Sequence, residues 1–453
     1  MVVVDHKPGL SVLHGIEVPD RIPAARYHDP EFYALEAELL WMRTWQMACR
    51  LEEIPEPGDV VEYEILDQSV MVLRTEDGGV RAFQNACRHR GVKLVDGRDR
   101  CESGFTCPFH GWCYGTDGRN TAVTRKKTFS EHNLESGDLD LRPVRCDTWG
   151  GCAWINLDDD ALPLRESIEP AATILDAWNV ESLRAEWWYA ARLPVNWKLA
   201  QEAFVEQYHV LETHPQLRIP GRMAAPGTDF DPRAWVDAEL HYLRMMSEGM
   251  DGMVHARDVR IAERLAAEIE LPADPALAMS TWHRTYNDAV TATHRDAGAT
   301  IPDLNELERS GMNEPMGYVF PHYFVLPMYS SASSYRFRPL GPEETLMEIW
   351  SMTRFPEGEE PTPPSPPEVW AHDDPRWPPI PAQDFSNLPR QQRGLHTKGF
   401  EYMRLSERAE GHISNFHRTI DRYLAGRPHD EIQPALRRVN VNPLEMPIMD
   451  LDA

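Results

Sequence analysis

The chain has 453 residues, 42% of them hydrophobic, and a formal net charge of −26. That is long and apolar enough for two or three packed domains and excludes a disordered chain. A surface so acidic repels phosphate backbones and anionic lipid, which argues against nucleic-acid and membrane partners, while it suits plain solubility or the docking of a basic electron donor.

The first residues, MVVVDHKPGLSVLHGIEVPD, lack the basic start and long apolar core of a secretory signal. No later stretch reaches the ~18–20 apolar residues of a membrane span. Residues 20–50 read as helical, because PEFYALEAELLWMRTWQMACR repeats apolar residues every three or four positions. From about residue 54 the texture turns to short β-branched runs, with Glu76-Asp77-Gly78-Gly79 as a hairpin signal. Residues 45–158 are expected to form a small all-β domain. Helical patterns return over 160–215, in ESIEPAATILDAWN and NWKLAQEAFVEQYHVLETH. A methionine-rich stretch of loops and helices follows over 216–315. Its Tyr242, Trp282 and Tyr286 suit either an apolar pocket or ordinary core. Strand texture resumes in YVFPHYFVLPMYSSASSYRFRPL and ETLMEIWSMTRF, and the next connection is too proline-rich for a helix or a central strand. An amphipathic helix closes near Gly426. The fold class is α+β, with a 1–44 helical part, the 45–158 β domain and a 159–453 domain holding the variable insert.

Seven cysteines, an odd number, fit a reducing cytoplasm better than a disulfide scaffold. Four of them, Cys87, Cys101, Cys107 and Cys113, fall within 27 residues, which points to a metal. The tightest motif is Cys87-Arg88-His89, a 17-residue spacer, then Cys107-Pro108-Phe109-His110. Two thiolates and two imidazoles from two loops suit a [2Fe–2S] pair, and equally a tetrahedral zinc. Gly91, Gly104 and Gly111 are expected to let the loops turn and to offer N–H groups to the sulfides. With its C-R-H-R-G and C-P-F-H-G-W strings, this segment resembles the Rieske family. The resemblance implies Cys87 and Cys107 on one iron and His89 and His110 on the other, with Cys101 and Cys113 in packing roles.

A second constellation is Glu206-Gln207-Tyr208-His209 and Glu212-Thr213-His214-Pro215. Two histidines and a distant carboxylate make a facial triad that leaves metal positions open. His209 and His214, five apart, diverge by about 140° on a regular helix. Pro215 disfavours helix at His214, so a break there is expected, whereas Glu206 and His209 would share a helical face. The string N-W-K-x3-E-x3-E-x-x-H-x4-H resembles the mononuclear-iron segment of ring-hydroxylating oxygenases. The resemblance implies His209 and His214 as iron ligands, and Glu206 in the place of the usual bridging Asp, as in quaternary-ammonium oxygenases. It implies Asp384, before the Gln392-Arg393-Gly394-Leu395 run, as third ligand, with Asp373 and Asp374 as alternatives and a helix N-cap as the plain structural role for Asp384.

Together these resemblances imply the catalytic α subunit of a Rieske non-haem iron oxygenase. Its β domain would be inserted in a helix-grip-type catalytic domain to which residues 1–44 also belong. One [2Fe–2S] cluster and one Fe(II) per chain would draw electrons from NAD(P)H through a ferredoxin or flavin reductase. Electron transfer would cross a subunit boundary through His110, Glu206 and His209, which implies a head-to-tail homotrimer, with or without a β subunit. The product would be a cis-diol or a monooxygenated compound from an aromatic or other hydrophobic substrate. A quaternary-ammonium substrate is the alternative, and an electron-transfer Rieske protein without oxygenase activity the remote one.

Overall fold

The computed structural model describes residues 11–451 except 102, 136, 223–229, 315, 442 and 444. The expectation for the first ten residues lies outside the described ones. The chain divides into two compact units, Glu36–Ser167 and the combination of Met1–Leu35 with Ile168–Ala453. No helix among the described residues is long and apolar enough to cross a membrane.

The smaller unit is all-β. Its seven-stranded antiparallel sheet runs Gln46–Arg50, Cys152–Asn156, Pro143–Trp149, Val80–Gln84, Gln68–Arg74, Asp59–Ile65, Arg98–Arg100. The expected hairpin is present: Arg74 pairs with Val80, and Gly78 turns the chain at φ +80°, a conformation that favours glycine. A three-stranded sheet of Phe105–Thr106, Cys113–Tyr114 and Asn120–Ala122 carries the second cysteine loop. The helical expectation for 20–50 holds for a 3-10 turn at Ala24–Tyr27 and for residues 30–41; Gln46–Arg50 is a fully buried strand beside Cys152–Asn156. Burial of this edge strand overrides the helix-like pattern that leads into Met47, Ala48 and Cys49.

The larger unit is α+β. Its sheet runs Gly317–Val319, Tyr323–Met328, Ser331–Gly341, Glu344–Thr353, Arg184–Leu193, Val369–Ala371, antiparallel except for the last, parallel edge. The helix Trp197–Val205 packs on Ser331–Gly341 and Glu344–Thr353, and the helices Pro379–Leu395 and Gly411–Leu424 pack on it in turn. Arg184–Leu193 lies inside the stretch read as helical. Neighbours on both edges and a bulge between Ala185 and Trp187 blur its alternation. The helix Pro379–Leu395 begins inside the proline-rich connection, because prolines in a first turn lose no intrahelical hydrogen bond. In the insert, Trp282 and Tyr286 stack on each other and are buried as core, and Tyr242 lies beneath the Arg222 guanidinium.

Candidate functional site

The two cysteine loops of the smaller unit are built alike. Cys87 N–H donates to Val92 O and Gly91 N–H to Cys87 O; Cys107 N–H donates to Trp112 O and Gly111 N–H to Cys107 O. Gly91 and Gly111 both take positive φ. Their N–H groups are therefore spent closing the loops, which corrects the expectation that they point at sulfides. Gly104 serves differently: a Cβ there would stand 2.0 Å from Tyr114 O, so only glycine admits the approach.

These loops bring Cys87, His89, Cys107 and His110 together around a buried core that includes Phe105, Trp112 and Tyr114. The imidazoles of His89 and His110 stand edge to face with centroids 4.6 Å apart, and Trp112 stacks on His89 at 5.0 Å. Arg88 N–H donates to the Tyr114 oxygen at 2.9 Å, leaving the phenol proton for Cys87 Sγ at 3.2 Å. Burial pushes the Cys87 thiol up. Burial acts likewise on Cys107, but N–H groups of Phe109 and His110 outweigh it and hold that thiol below its ordinary value. Burial, then the neighbouring His110 and Arg90, hold the His89 imidazole below its ordinary value.

The donor chemistry distinguishes a two-metal group from one ion. Nδ1 of His89 and of His110 is buried and has no hydrogen-bond partner among the described residues. Such orphaned nitrogens are costly unless something else binds them. No three of the four donors form a set mutually within 4.8 Å, whereas a tetrahedral ion with bonds of about 2.0–2.3 Å needs all its donors that close. Cys101 and Cys113 pack beside the loops; burial pushes the Cys101 thiol up to about 11.

In the larger unit, Asn196 caps the Trp197–Val205 helix by accepting from Lys198 N–H, and its own N–H donates to Gln392. Gln392 belongs to the Pro379–Leu395 helix, so the N-W-K and Q-x-G-L strings tie the two helices together. The first helix ends at Val205, and Glu206 is extended at φ −126° and ψ 150°. The break therefore falls before His209 as well as at His214, correcting the shared helical face expected for Glu206 and His209. A short turn of helix, Val210–Thr213, then separates the two histidines and ends at His214, before Pro215.

This double break aims both imidazoles at one carboxylate. Asp384 Oδ1 lies 3.1 Å from His214 Nε2 and 3.6 Å from His209 Nε2, and one donor atom from each residue fits within 4.8 Å of the others. Asp384 sits inside its helix, whose N-cap position is Pro378, so it is not a cap. It is 5% exposed. Burial pushes its carboxyl up against the opposing pull of both histidines. Burial alone would lower both imidazoles; Glu206 and Asp384 outweigh it at His209, and Asp384 and Gln383 outweigh it at His214. Asp374 is bound instead to Arg376 at the surface, which holds its carboxyl down at about 2. Among the described residues, His209, His214 and Asp384 form the one group of three such donors at metal-binding spacing.

Glu206 accepts from His209 Nδ1 at 2.6 Å and from His209 N–H at 3.1 Å. Glu202, a turn earlier, faces away: it accepts from Tyr27 and His417, and burial raises its carboxyl to about 8. Gln383 and Gln216, given no role in the sequence reading, form a chain: Gln383 contacts His214, and Gln216 contacts Gln383. Their only sequence signal is adjacency, to Asp384 and to Pro215.

The model for the Rieske [2Fe-2S] domain matches residues 44–136, and that for the ring hydroxylating alpha subunit (catalytic domain) matches 180–426. The 2-aminobenzenesulfonate 2,3-dioxygenase subunit alpha of Alcaligenes sp is 34% identical over 185 residues, 40% of this chain and 47% of that protein. The carnitine monooxygenase oxygenase subunit of Escherichia coli (strain K12) is 32% identical over 196 residues, 43% of this chain and 52% of that protein. The chain thus spans about half the length of the curated relatives it matches. A naphthalene 1,2-dioxygenase bound to phenanthrene shares the fold, with a TM-score of 0.61 at 21% identity over 93% of this chain and 96% of that one. The two matched domains imply one [2Fe–2S] cluster and one mononuclear Fe(II).

Proposed function

The chain belongs to the family of ring-hydroxylating α subunits, and from that premise we propose that it is a terminal oxygenase. It would use O2 and externally supplied electrons to hydroxylate an aromatic or other hydrophobic small molecule. The observation that carries this reading is the convergence of half-buried His209 with buried His214 and Asp384, three donors that leave other metal positions open.

In this reading Cys87 and Cys107 hold one iron of the cluster, and His89 and His110 hold the other through Nδ1. His209 and His214, through Nε2, and Asp384 hold Fe(II). When bound, the cluster supplies electrons and the mononuclear iron supplies positions for O2 beside the substrate. The protein's part is orientation. Glu206 fixes the proton of His209 on Nδ1 and holds the ring, and Trp112 fixes the plane of His89. Tyr114 tunes Cys87 by donating to its sulfur. A ferredoxin or flavin reductase, a head-to-tail homotrimer and a cytoplasmic location complete the proposal. The odd count of seven cysteines favours that location.

A second reading, monooxygenation of a quaternary-ammonium substrate, is favoured by one residue: Glu206, which stands where the resemblance implies an Asp, as a Glu does in quaternary-ammonium oxygenases. The test is turnover with 18O-labelled O2, a reductase and a panel containing naphthalene, anthranilate and carnitine. A cis-diol with two labelled oxygens supports the first reading, and a singly labelled product from carnitine the second. No labelled product from a chain with both metal centres filled contradicts oxygenase activity on either class.

A further inference from the structure

His214 is held by a pair of side-chain amides. Its Nδ1 lies 2.7 Å from Gln383 Oε1, and the same oxygen accepts from Gln216 Nε2 at 2.8 Å. The pair closes on itself, because Gln383 Nε2 donates to Gln216 Oε1 at 3.1 Å. Gln216 lies in the Pro215–Leu217 turn just after His214, and Gln383 precedes Asp384 in the Pro379–Leu395 helix. The two glutamines therefore join the two segments that carry donors.

We infer that Gln383 and Gln216 are positioning residues for the metal-binding imidazole of His214, fixing its proton on Nδ1 so that Nε2 presents a lone pair beside Asp384. The inference rests on the proposed iron site. The reasoning is one of donor and acceptor matching. A metal takes the Nε2 lone pair, so Nδ1 must carry the proton and must face an oxygen. An amide nitrogen in that place would set N–H against N–H. Two paired amides satisfy each other equally well when both are flipped, so the pair alone does not choose its orientation. His214 supplies the choice, and the pair then resists rotation of the ring. His209 is treated differently, since its Nδ1 faces the carboxylate of Glu206. The two imidazoles are thereby made unequal, one backed by a charge and the other by a neutral dipole.

The test uses the full-length enzyme with its cluster intact and measures Fe(II) affinity by chelator competition. Gln383→Leu and Gln216→Leu keep the volume but remove the acceptor or its support; each should weaken Fe(II) binding about 10-fold or more and leave the visible cluster spectrum unchanged. Gln383→Glu restores an oxygen at Nδ1 and should recover affinity close to wild type. Wild-type affinity in both leucine variants overturns the inference. So does equal weakening in Gln383→Leu and Gln383→Glu, because the acceptor would then not be what matters. Failure of the underlying reading looks different: His214→Ala would itself retain the mononuclear iron.

Discussion

Glu206→Gln removes a charge while keeping the shape, and the structure sets the size of its effect. The carboxylate accepts two hydrogen bonds from one residue, His209 Nδ1–H at 2.6 Å and His209 N–H at 3.1 Å. A glutamine offers one oxygen for these two donors, so one bond is lost and the other becomes neutral. Losing one charge-assisted bond costs about 1.5–3 kcal/mol, and the change of the other from charge-assisted to neutral about 1 kcal/mol. The sum, about 2.5–4 kcal/mol, corresponds to about a 70- to 900-fold loss of Fe(II) affinity at the mononuclear site. Solvent screening takes little from this, because the Glu206 side chain is only 11% exposed. Chelator competition reads the affinity. With Fe(II) at saturation both centres should fill, yet single-turnover oxidation of the pre-reduced cluster, in the presence of O2 and substrate, should slow sharply. Wild-type affinity together with a wild-type oxidation rate would refute the role given to Glu206.

Other substitutions separate the parts of the account. His209→Ala and His214→Ala should each lose the mononuclear iron and turnover while the cluster spectrum persists, because the donors of the two centres are distinct. Metal analysis should find the mononuclear iron gone from Asp384→Ala and present in Asp374→Ala, whose native carboxylate is occupied by Arg376. Gly104→Ala forces a Cβ to 2.0 Å from Tyr114 O at a φ of +112°. It should destabilise the smaller unit by more than about 1 kcal/mol, visible as a lower Tm and earlier bleaching of the cluster on heating.

How far the sequence speaks for the structure depends on how local each feature is. The cysteine loops were readable because all four donors lie within two short motifs whose glycines close the same turn twice. His209 and His214 were readable as a pair, but their convergence depends on a break at Glu206–Tyr208 that no proline announces. Asp384 stands 170 positions beyond His214 and was reached only through the resemblance of its flanking run. Gln216 and Gln383 were invisible, since an amide pair across two segments leaves no spacing or composition to notice. In the fold, Arg184–Leu193 escaped because a strand paired on both edges shows little alternation, and its alanines, arginines and leucine suit a helix equally well. The helix carrying Asp384 was hidden by the prolines of its own first turn.

Iron stoichiometry with electron paramagnetic resonance of the reduced protein tests the central claim most directly. Anaerobically reconstituted protein should hold three irons per chain, two in a cluster whose reduced form gives a Rieske-type signal and one removed by His214→Ala. Stoichiometric zinc, with no visible absorbance and no such signal, would contradict it.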